Sequence, residues 1–318
     1  MTWRAGYRDR RALVLGGSGF IGRWVARHLT DAGADLVLVS RAPHANDPLW
    51  TGLGVQGARL AADLSRPGLA GEIVRSVRPA LTFNLAGYGV DPAERDEALG
   101  ARINHDLVLE LVRACGEAAD PAWQGQHLVH AGSAAEYGSA DGDLSEDGPA
   151  RPATWYGRTK LAGTDALTAA TRQGLLRAVS GRLFTVYGPG ERAGRLLPSL
   201  IEAARNGSAV ALTAGHQRRD FTYVEEAAEG LLRLGSLSEA GLGPVNLATG
   251  TLESVRGFVE RAAAVLGLPG ERLRFGVLPD RPLEMSHDQV NVGRLRTLTG
   301  WVPAMSIEEG VRRTVEAG

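Results

Sequence analysis

The chain has 318 residues, 44% of them apolar and 22% charged, enough for one large domain or two ordinary ones with a substantial core. With 35 basic and 36 acidic residues the formal net charge is -1, so nothing global attracts the chain to nucleic acid or to an anionic membrane. No apolar run approaches the roughly 18 residues of a membrane span, and the apolar run near the amino terminus is too short for a signal peptide.

Cysteine usage points to the compartment. Cys115 is the sole cysteine and cannot form an internal disulfide, which fits a reducing cytoplasm. The surrounding sequence LVLELVRACGEAA has helical periodicity, so Cys115 is predicted to be a buried, inert thiol. A cytoplasmic location follows as an expectation.

Short apolar runs alternate with longer amphipathic ones from the start of the chain. Residues 12–17 (ALVLGG) predict a buried strand, the helix after it is closed by Gly33, and residues 35–40 (DLVLVS) predict the second strand. The alternation continues with strands at 81–87, 127–133 and 176–184 and helices at 103–116 and around Tyr156. This pattern is typical of an α/β fold with a doubly wound, parallel Rossmann sheet.

The organisation changes after about Tyr187, where glycine- and proline-rich stretches separate the predicted helices. We therefore predict a dinucleotide-binding domain over residues 10–187, to which residues 220–250 return. Residues 188–219 and 251–318 are predicted to form a smaller, mostly carboxyl-terminal, substrate-binding lobe. The lobe would lie over the carboxyl ends of the strands, where ligands of such sheets bind.

A glycine-rich turn, GGSGFIG, follows the first strand and leads into a helix. Gly16, Gly19 and Gly22 would permit a tight turn and close backbone approach, and Phe20 and Ile21 would present the amino end of the helix to a pyrophosphate. The alternative is a glycine-rich turn that binds no ligand.

The type of coenzyme is indicated at the end of the second strand, where proteins that prefer NAD usually carry a carboxylate. Ser40 and Arg41 occupy that place, and a guanidinium can pair with a 2'-phosphate, so NADP is favoured and NAD remains an alternative. Arg41 could instead be a solvated loop cation. Asp63 could accept a hydrogen bond from the adenine amino group or cap a helix. The neighbouring residues predicted to line the coenzyme site are Leu64, Leu85, Ala86 and Gly87.

Tyr156 and Lys160 stand four residues apart in WYGRTK and would share one face of a helix. The Lys160 ammonium would then lie beside the Tyr156 hydroxyl and draw its pKa of about 10 down toward neutrality. Such a phenol could act as an acid/base. Metal catalysis finds little support, because His127 and His130 would point to opposite faces of their strand.

These motifs, with NLAG at Asn84, HAGSAAEYG at His130, RLFTVYGPG at Arg182, RRDFTYVEEAAEG at Arg218 and GWVP at Gly300, resemble an extended short-chain dehydrogenase/reductase. That group contains nucleotide-sugar epimerases, dehydratases and reductases, and the similarity runs nearly end to end. The resemblance implies that Ser133 binds the reacting sugar oxygen, that Tyr156 is the acid/base, and that Lys160 also holds the nicotinamide ribose.

The resemblance further implies that Arg219 and Arg281 bind the substrate's diphosphate, although each could be a structural ion-pair partner. Asn104 matches a helix asparagine near the active site, or is a plain helix-end amide. Ala134 and Ala135 replace the Asp-Glu pair of 4,6-dehydratases, which disfavours that reaction.

The predicted function is hydride transfer at a sugar carbon, carbon 4, of a nucleotide-diphosphate sugar. We expect an NADPH-dependent 4-keto-sugar reductase; the alternatives are a redox-neutral epimerase that retains its coenzyme, and a dinucleotide-binding protein without catalysis. The resemblance is also compatible with a homodimer formed through a helix bundle. Thr185 stands where many relatives have an asparagine that contacts the substrate, which puts that contact in question.

Overall fold

The computed structural model describes residues 3–42, 51–91, 93–138, 143–279 and 287–318. In chain order its strands are β1 (Arg11–Leu15), β2 (Asp35–Ser40), β3 (Ala58–Ala61), β4 (Leu81–Asn84), β5 (Leu128–Ser133), β6 (Asp143–Leu144), β7 (Ala178–Leu183), β8 (Thr185–Tyr187), β9 (Val210–Ala211), β10 (Arg218–Tyr223), β11 (Val245–Leu247), β12 (Leu252–Ser254), β13 (Leu273–Arg274) and β14 (Gln289–Val290). Its α-helices are α1 (Phe20–Asp31), α2 (Leu69–Val77), α3 (Glu97–Ala101), α4 (Leu107–Glu117), α5 (Trp155–Arg172), α6 (Leu196–Asn206), α7 (Val224–Gly235), α8 (Val255–Leu266), α9 (Gly293–Thr299) and α10 (Ile307–Glu316).

Seven strands form one sheet in the order β3-β2-β1-β4-β5-β7-β11, and every neighbouring pair is parallel. The predicted α/β, doubly wound sheet is confirmed. Strand order reverses between β1 and β4, so the loops that leave their carboxyl ends diverge there and open a crevice. The glycine-rich turn after β1 and the NLAG segment after β4 meet at this crevice.

Helices cover both faces of the sheet, which explains why its strands are apolar on both sides. α1 and α7 pack together on one face, where Trp24, Leu29 and Leu231 are buried. α2, α4 and α5 cover the other face, where Leu111 and Leu167 are buried.

A separate apolar cluster forms beyond the sheet from residues after Tyr187. Phe221 and Phe258 stack with ring centroids 4.2 Å apart, and Tyr187 meets Phe258 edge-on at 5.2 Å. β8, β10 and β12 form a three-stranded sheet beside this cluster, whereas β11 pairs with β7 in the main sheet. Because β8 directly follows β7 in the chain, this cluster lies next to the carboxyl end of β7.

Two local predictions need correction. The helix predicted over residues 103–116 begins as a π-helical turn at Arg102–Asp106 and becomes α4 at Leu107. The spacing of Ser306 and Glu309 also predicts a capping box at the last helix. Ser306 caps α10 by accepting from the Glu309 amide at 3.2 Å, but the Glu309 carboxylate pairs with Arg313 instead.

Cys115 is buried, as predicted, and burial raises the pKa of its thiol to about 11. Across the described ranges, none of the helices is both long and apolar enough to cross a bilayer.

Candidate active site

The turn after β1 is built for close approach of backbone. Gly16 has a φ of 78°, and a Cβ on it would lie 2.9 Å from the backbone of Leu85 and Ala86. A Cβ on Gly22 would lie 2.2 Å from the Gly16 carbonyl oxygen. Side chains are thus excluded where β1 passes into α1, as the fingerprint requires.

α1 begins at Phe20 directly after the N-cap residue Gly19, and within the described ranges no side chain caps it. The first amides of a helix carry partial positive charge and otherwise need capping partners. The glycine cradle and this uncapped helix end together fit the pyrophosphate of a dinucleotide. Leu85 and Ala86 are half-buried beside the cradle, whereas Gly87 is exposed.

The residues predicted to bind the adenosine half of the coenzyme lie at the edge of the sheet near β2. Ser40 ends β2, and Arg41 follows it, exposed. The Ser65 amide donates to Asp63 Oδ1 at 3.0 Å and lowers the Asp63 pKa, and the charge of Arg41 lowers it further. Asp63 therefore caps a local turn and not α2, which begins at Leu69 after Gly68. The adjacent Leu64 is buried.

Ser133 and Tyr156 meet at the carboxyl end of β5. Ser133 ends the strand, and its Oγ accepts from the Ala135 amide at 3.1 Å. Thr154 caps α5 by accepting from the Gly157 amide at 3.0 Å, which begins the helix so that Tyr156 lies in its first turn. Burial raises the pKa of Tyr156 to about 12, while a hydrogen bond with the Ser133 side chain lowers it. The phenol is consequently protonated at neutral pH.

Lys160 lies one turn further along α5 and is only 3% exposed. Its Nζ donates to the Ala131 carbonyl oxygen at 2.6 Å and lies 3.5 Å from His130 Nε2. Burial lowers the pKa of Lys160 to about 8, and the charge of Glu136 raises it. The predicted depression of the Tyr156 pKa by Lys160 is wrong for this arrangement, because the ammonium is directed at the end of β5 and desolvation dominates the phenol.

A buried ion pair that the sequence motifs did not predict supports Ser133. Glu136 Oε1 accepts from the Ser133 amide at 2.8 Å, and its Oε2 accepts from Arg182 Nε at 2.7 Å. Thr164 of α5 also donates to Glu136 Oε1, at 3.0 Å. Strand β5, helix α5 and strand β7 are thereby tied to one carboxylate. A charged residue inside the apolar pattern of β7 was the available signal.

Asn104 is neither a helix-end amide nor exposed: it lies inside the π-helical turn and is fully buried. Its Nδ2 donates to the Tyr88 carbonyl oxygen at 2.8 Å and to Thr159 Oγ1 at 3.0 Å. Thr159 Oγ1 in turn donates to the Tyr156 carbonyl oxygen at 3.0 Å. Asn104 therefore joins the loop after β4 to the helix turn that carries Tyr156.

A cavity of about 390 Å³ opens between β8, β10 and α6. Arg219 lines it beside the aromatic side chains of Phe221 and Phe258, and Thr185 and Glu191 also face it. Its volume is in the range of small-ligand sites. Arg281, the second arginine predicted to bind a diphosphate, lies outside the described residues.

The described ranges hold no cluster of three or more histidine, cysteine or carboxylate side chains that could bind a metal ion. His127 accepts from the Arg177 amide at 3.4 Å, whereas His130 contacts Asn84, so the two histidines serve different surroundings.

A parallel sheet with a glycine cradle at its switch point, and a Ser-Tyr-Lys constellation beside it, define an extended short-chain dehydrogenase/reductase. The sequence profile of the NAD dependent epimerase/dehydratase family matches residues 12–248. The chain belongs to this family, and it is an NAD(P)-dependent enzyme of the extended short-chain type.

Three individual comparisons illustrate the membership. The dTDP-6-deoxy-L-talose 4-dehydrogenase (NAD(P)(+)) of Kitasatospora kifunensis is 31% identical, over 95% of this chain and 93% of its own. The probable UDP-glucuronate 4-epimerase of Rhizobium meliloti is 27% identical, over 96% of each chain. The solved structure of MoeE5 in complex with UDP-glucuronic acid and NAD is 28% identical with a TM-score of 0.82, over 96% of this chain and 98% of the other.

Proposed function

We propose that the protein is an NADPH-dependent reductase that converts the 4-keto group of a nucleotide-diphosphate sugar to an alcohol. The observation that carries this proposal is the pairing of a protonated Tyr156 with the Ser133 hydroxyl at the carboxyl end of β5. A ketone that receives a hydride needs a proton on its oxygen, and the Tyr156 phenol, protonated at neutral pH and hydrogen-bonded to Ser133, is placed to supply that proton.

Each member of the constellation has a proposed role. Ser133 donates a hydrogen bond to the ketone oxygen, Tyr156 transfers its proton to that oxygen, and Lys160 supplies positive charge and binds the nicotinamide ribose. The coenzyme, when bound, supplies the hydride. The Glu136 and Arg182 pair contributes by holding the backbone of Ser133 in place.

Two observations favour a coenzyme that exchanges over one that stays bound. Arg41 follows β2 where a 2'-phosphate would be read, and no carboxylate stands at the end of that strand. The Kitasatospora relative is named for chemistry at carbon 4 with NAD(P). Both favour a coenzyme that exchanges in every catalytic cycle, as a reductase requires.

Arg219 supports a nucleotide-diphosphate sugar as the substrate. It lines the 390 Å³ cavity between the aromatic cluster and α6, where its forked donors suit a diphosphate. Arg281 is proposed as a second diphosphate ligand from its sequence motif alone. In this assignment residues 188–219 and 251–318 form the substrate-binding lobe, and residues 10–187 with 220–250 form the dinucleotide-binding domain.

The alternative, a redox-neutral 4-epimerase, is favoured by the Rhizobium relative, a probable UDP-glucuronate 4-epimerase. The discriminating experiment is to denature the purified protein and identify any released nicotinamide by mass spectrometry and absorbance. Tightly retained coenzyme would support the epimerase. An empty protein that binds NADPH more tightly than NADH, and oxidises it with a dTDP- or UDP-4-keto-6-deoxy sugar, would support the reductase.

We also infer a cytoplasmic homodimer. The single cysteine of the chain, Cys115, cannot form an internal disulfide, which supports the compartment. Helices α4 and α5 on one face of the sheet are the elements through which such a dimer would form. Light scattering of the purified protein would measure the oligomeric state, and a monomer at micromolar concentration would reject the dimer.

A further inference from the structure

Three polar side chains make a continuous line behind the active site. Lys160 Nζ lies 3.5 Å from His130 Nε2, and His130 Nδ1 lies 3.1 Å from Asn84 Nδ2. Asn84 and His130 are register neighbours on the parallel strands β4 and β5, so their side chains leave the sheet on the same face. Asn84 and His130 are both 0% exposed, which shields the whole line from water.

With the Asn84 amide nitrogen facing His130, the hydrogen-bond donors and acceptors along this line do not match. If the Asn84 amide nitrogen donates to His130 Nδ1, a neutral ring must carry its proton on Nε2. That proton would face the Lys160 ammonium, so donor would meet donor. Asn84 Oδ1 is at the same time buried and has no hydrogen-bond donor within the described part of the chain.

A half-turn of the Asn84 amide removes the conflict. The two ends of an amide are nearly identical in shape, and their assignment follows from the hydrogen-bond network. After the rotation, Oδ1 accepts from His130 Nδ1–H, and the free lone pair on Nε2 accepts from the Lys160 ammonium. The rotation moves the amide N–H groups into the position that Oδ1 occupied without a hydrogen-bond donor. The gain from the rotation is therefore the matched hydrogen bonds of the His130 ring with Asn84 and with Lys160.

We propose that Asn84 and His130 form a positioning relay for Lys160, in which a neutral, Nδ1-protonated imidazole accepts a hydrogen bond from the ammonium. The role of Lys160 that this relay serves rests on the proposed function. Lys160 would be held by two acceptors, His130 Nε2 and the Ala131 carbonyl oxygen, and one N–H would remain for the active-site side.

The electrostatics of the site agree with a neutral histidine. Burial lowers the pKa of His130 well below its ordinary value, and the charge of Lys160 lowers it further, so His130 does not itself exchange a proton. Glu136, on the turn after β5, is the charged group whose field raises the Lys160 pKa. Tyr156, the titratable group one helical turn away, is protonated at neutral pH.

The tautomer of His130 is a direct test that needs no turnover. Long-range proton–nitrogen NMR of the full-length, ¹⁵N-labelled protein distinguishes the two neutral tautomers and the charged ring. The His130→Phe variant, or His130→Asn if that variant does not fold, identifies the signal among the seven histidines. We expect the Nδ1–H form at neutral pH. An Nε2–H tautomer, or a ring that is charged at neutral pH, would overturn the relay.

Steady-state kinetics test what the relay does. Removing the acceptor in His130→Phe disfavours the charged lysine, so the alkaline limb of the kcat profile should move down by about one pH unit. Turnover should fall only about twofold at pH 7 and about tenfold at pH values above the limb, with a change in KM for the sugar below about twofold. His130→Gln, which keeps an acceptor oxygen, should recover part of the shift.

His127→Phe is the matched control, because His127 precedes β5 and contacts Arg177 instead of Lys160. Its pH profile should follow that of the unmodified enzyme. A His130→Phe enzyme that is folded by circular dichroism but has an unshifted profile would reject the relay. Failure of the proposed function is separable from this result, since it would show as activity that survives Tyr156→Phe, while the NMR tautomer would be unaffected.

Discussion

Arg182 and Glu136 form an ion pair, 2.7 Å between Nε and Oε2, in which the side chains are 4% and 0% exposed. The guanidinium also lies 4.5 Å over the Tyr137 ring, and the other carboxylate oxygen holds the Ser133 amide. The pair joins β7 to the turn that orients Ser133, so the stability of the sheet and the geometry of the active site depend on the same contact.

Glu136→Gln should therefore destabilise the protein strongly. It leaves a buried guanidinium without its counter-charge, which typically costs about 3–5 kcal/mol of the free energy of unfolding. Chemical denaturation would measure the loss. Asp31→Asn is the matched control, because its pair with Arg27 is over a third exposed and should contribute less than about 1 kcal/mol. Equal losses in the two variants would contradict this interpretation of the Glu136 pair.

Tyr156→Phe should abolish turnover and leave coenzyme affinity unchanged. Loss of the proton donor is expected to lower kcat by at least about 100-fold. Coenzyme fluorescence titration and an NADPH oxidation assay would give the two quantities. Tyr7→Phe removes a buried hydroxyl from the amino-terminal turn, where it bonds the Leu232 carbonyl, and should retain turnover. Comparable turnover in both variants would refute the assignment of Tyr156.

Gly22→Ala should prevent coenzyme binding, because the added methyl would lie 2.2 Å from the Gly16 carbonyl oxygen. Either α1 or the glycine turn must move, which spoils the cradle, so the Kd for NADPH should rise more than about tenfold. Gly270→Ala is the control, since a Cβ there meets nothing within 4 Å. Isothermal titration calorimetry would measure both, and unchanged affinity in Gly22→Ala would disprove the close approach.

Arg41→Ser should change the choice between the two coenzymes. Removing a guanidinium that pairs with a 2'-phosphate is expected to raise the Kd for NADPH about tenfold and to leave the Kd for NADH nearly constant. Arg8→Ser removes an exposed arginine from the amino-terminal region as a control. If both coenzymes weaken equally in Arg41→Ser, Arg41 does not read the phosphate.

Glu191 should make the protein less stable as pH rises. Burial raises the pKa of Glu191 to about 7, although Arg195 opposes the shift, whereas the unfolded carboxyl ionises near its ordinary value of 4.5. Between those two pH values the folded state binds more protons than the unfolded state. The contribution of Glu191 to the free energy of unfolding therefore falls as pH increases.

Glu191→Gln lacks this titration. It should match the unmodified protein near pH 4.5 and exceed it at about pH 8 by about 1–3 kcal/mol in the free energy of unfolding. Denaturation curves at both pH values would show the difference, with the exposed Glu202→Gln as the control. A variant that is less stable than the unmodified protein at the higher pH would contradict a buried Glu191 carboxyl with a raised pKa.

The sequence by itself determined the fold class and the identity of the candidate active-site residues. Strand and helix periodicity indicates which segments form strands and which form helices of a parallel sheet. Gly16, Gly22, Ser133, Tyr156 and Lys160 belong to local motifs whose chemistry depends on short spacing. Local patterns of this kind are written in consecutive residues, so they are readable without the structure.

The tertiary structure alone decided how charge is distributed in the site. Desolvation depends on all the surrounding atoms, which is why the pKa of Tyr156 is raised although Lys160 stands four residues away. Glu136 meets Arg182, and Asn84 meets His130, only because β4, β5 and β7 lie side by side in the sheet. Such contacts join residues distant in the chain, and spacing along the sequence carries no record of them.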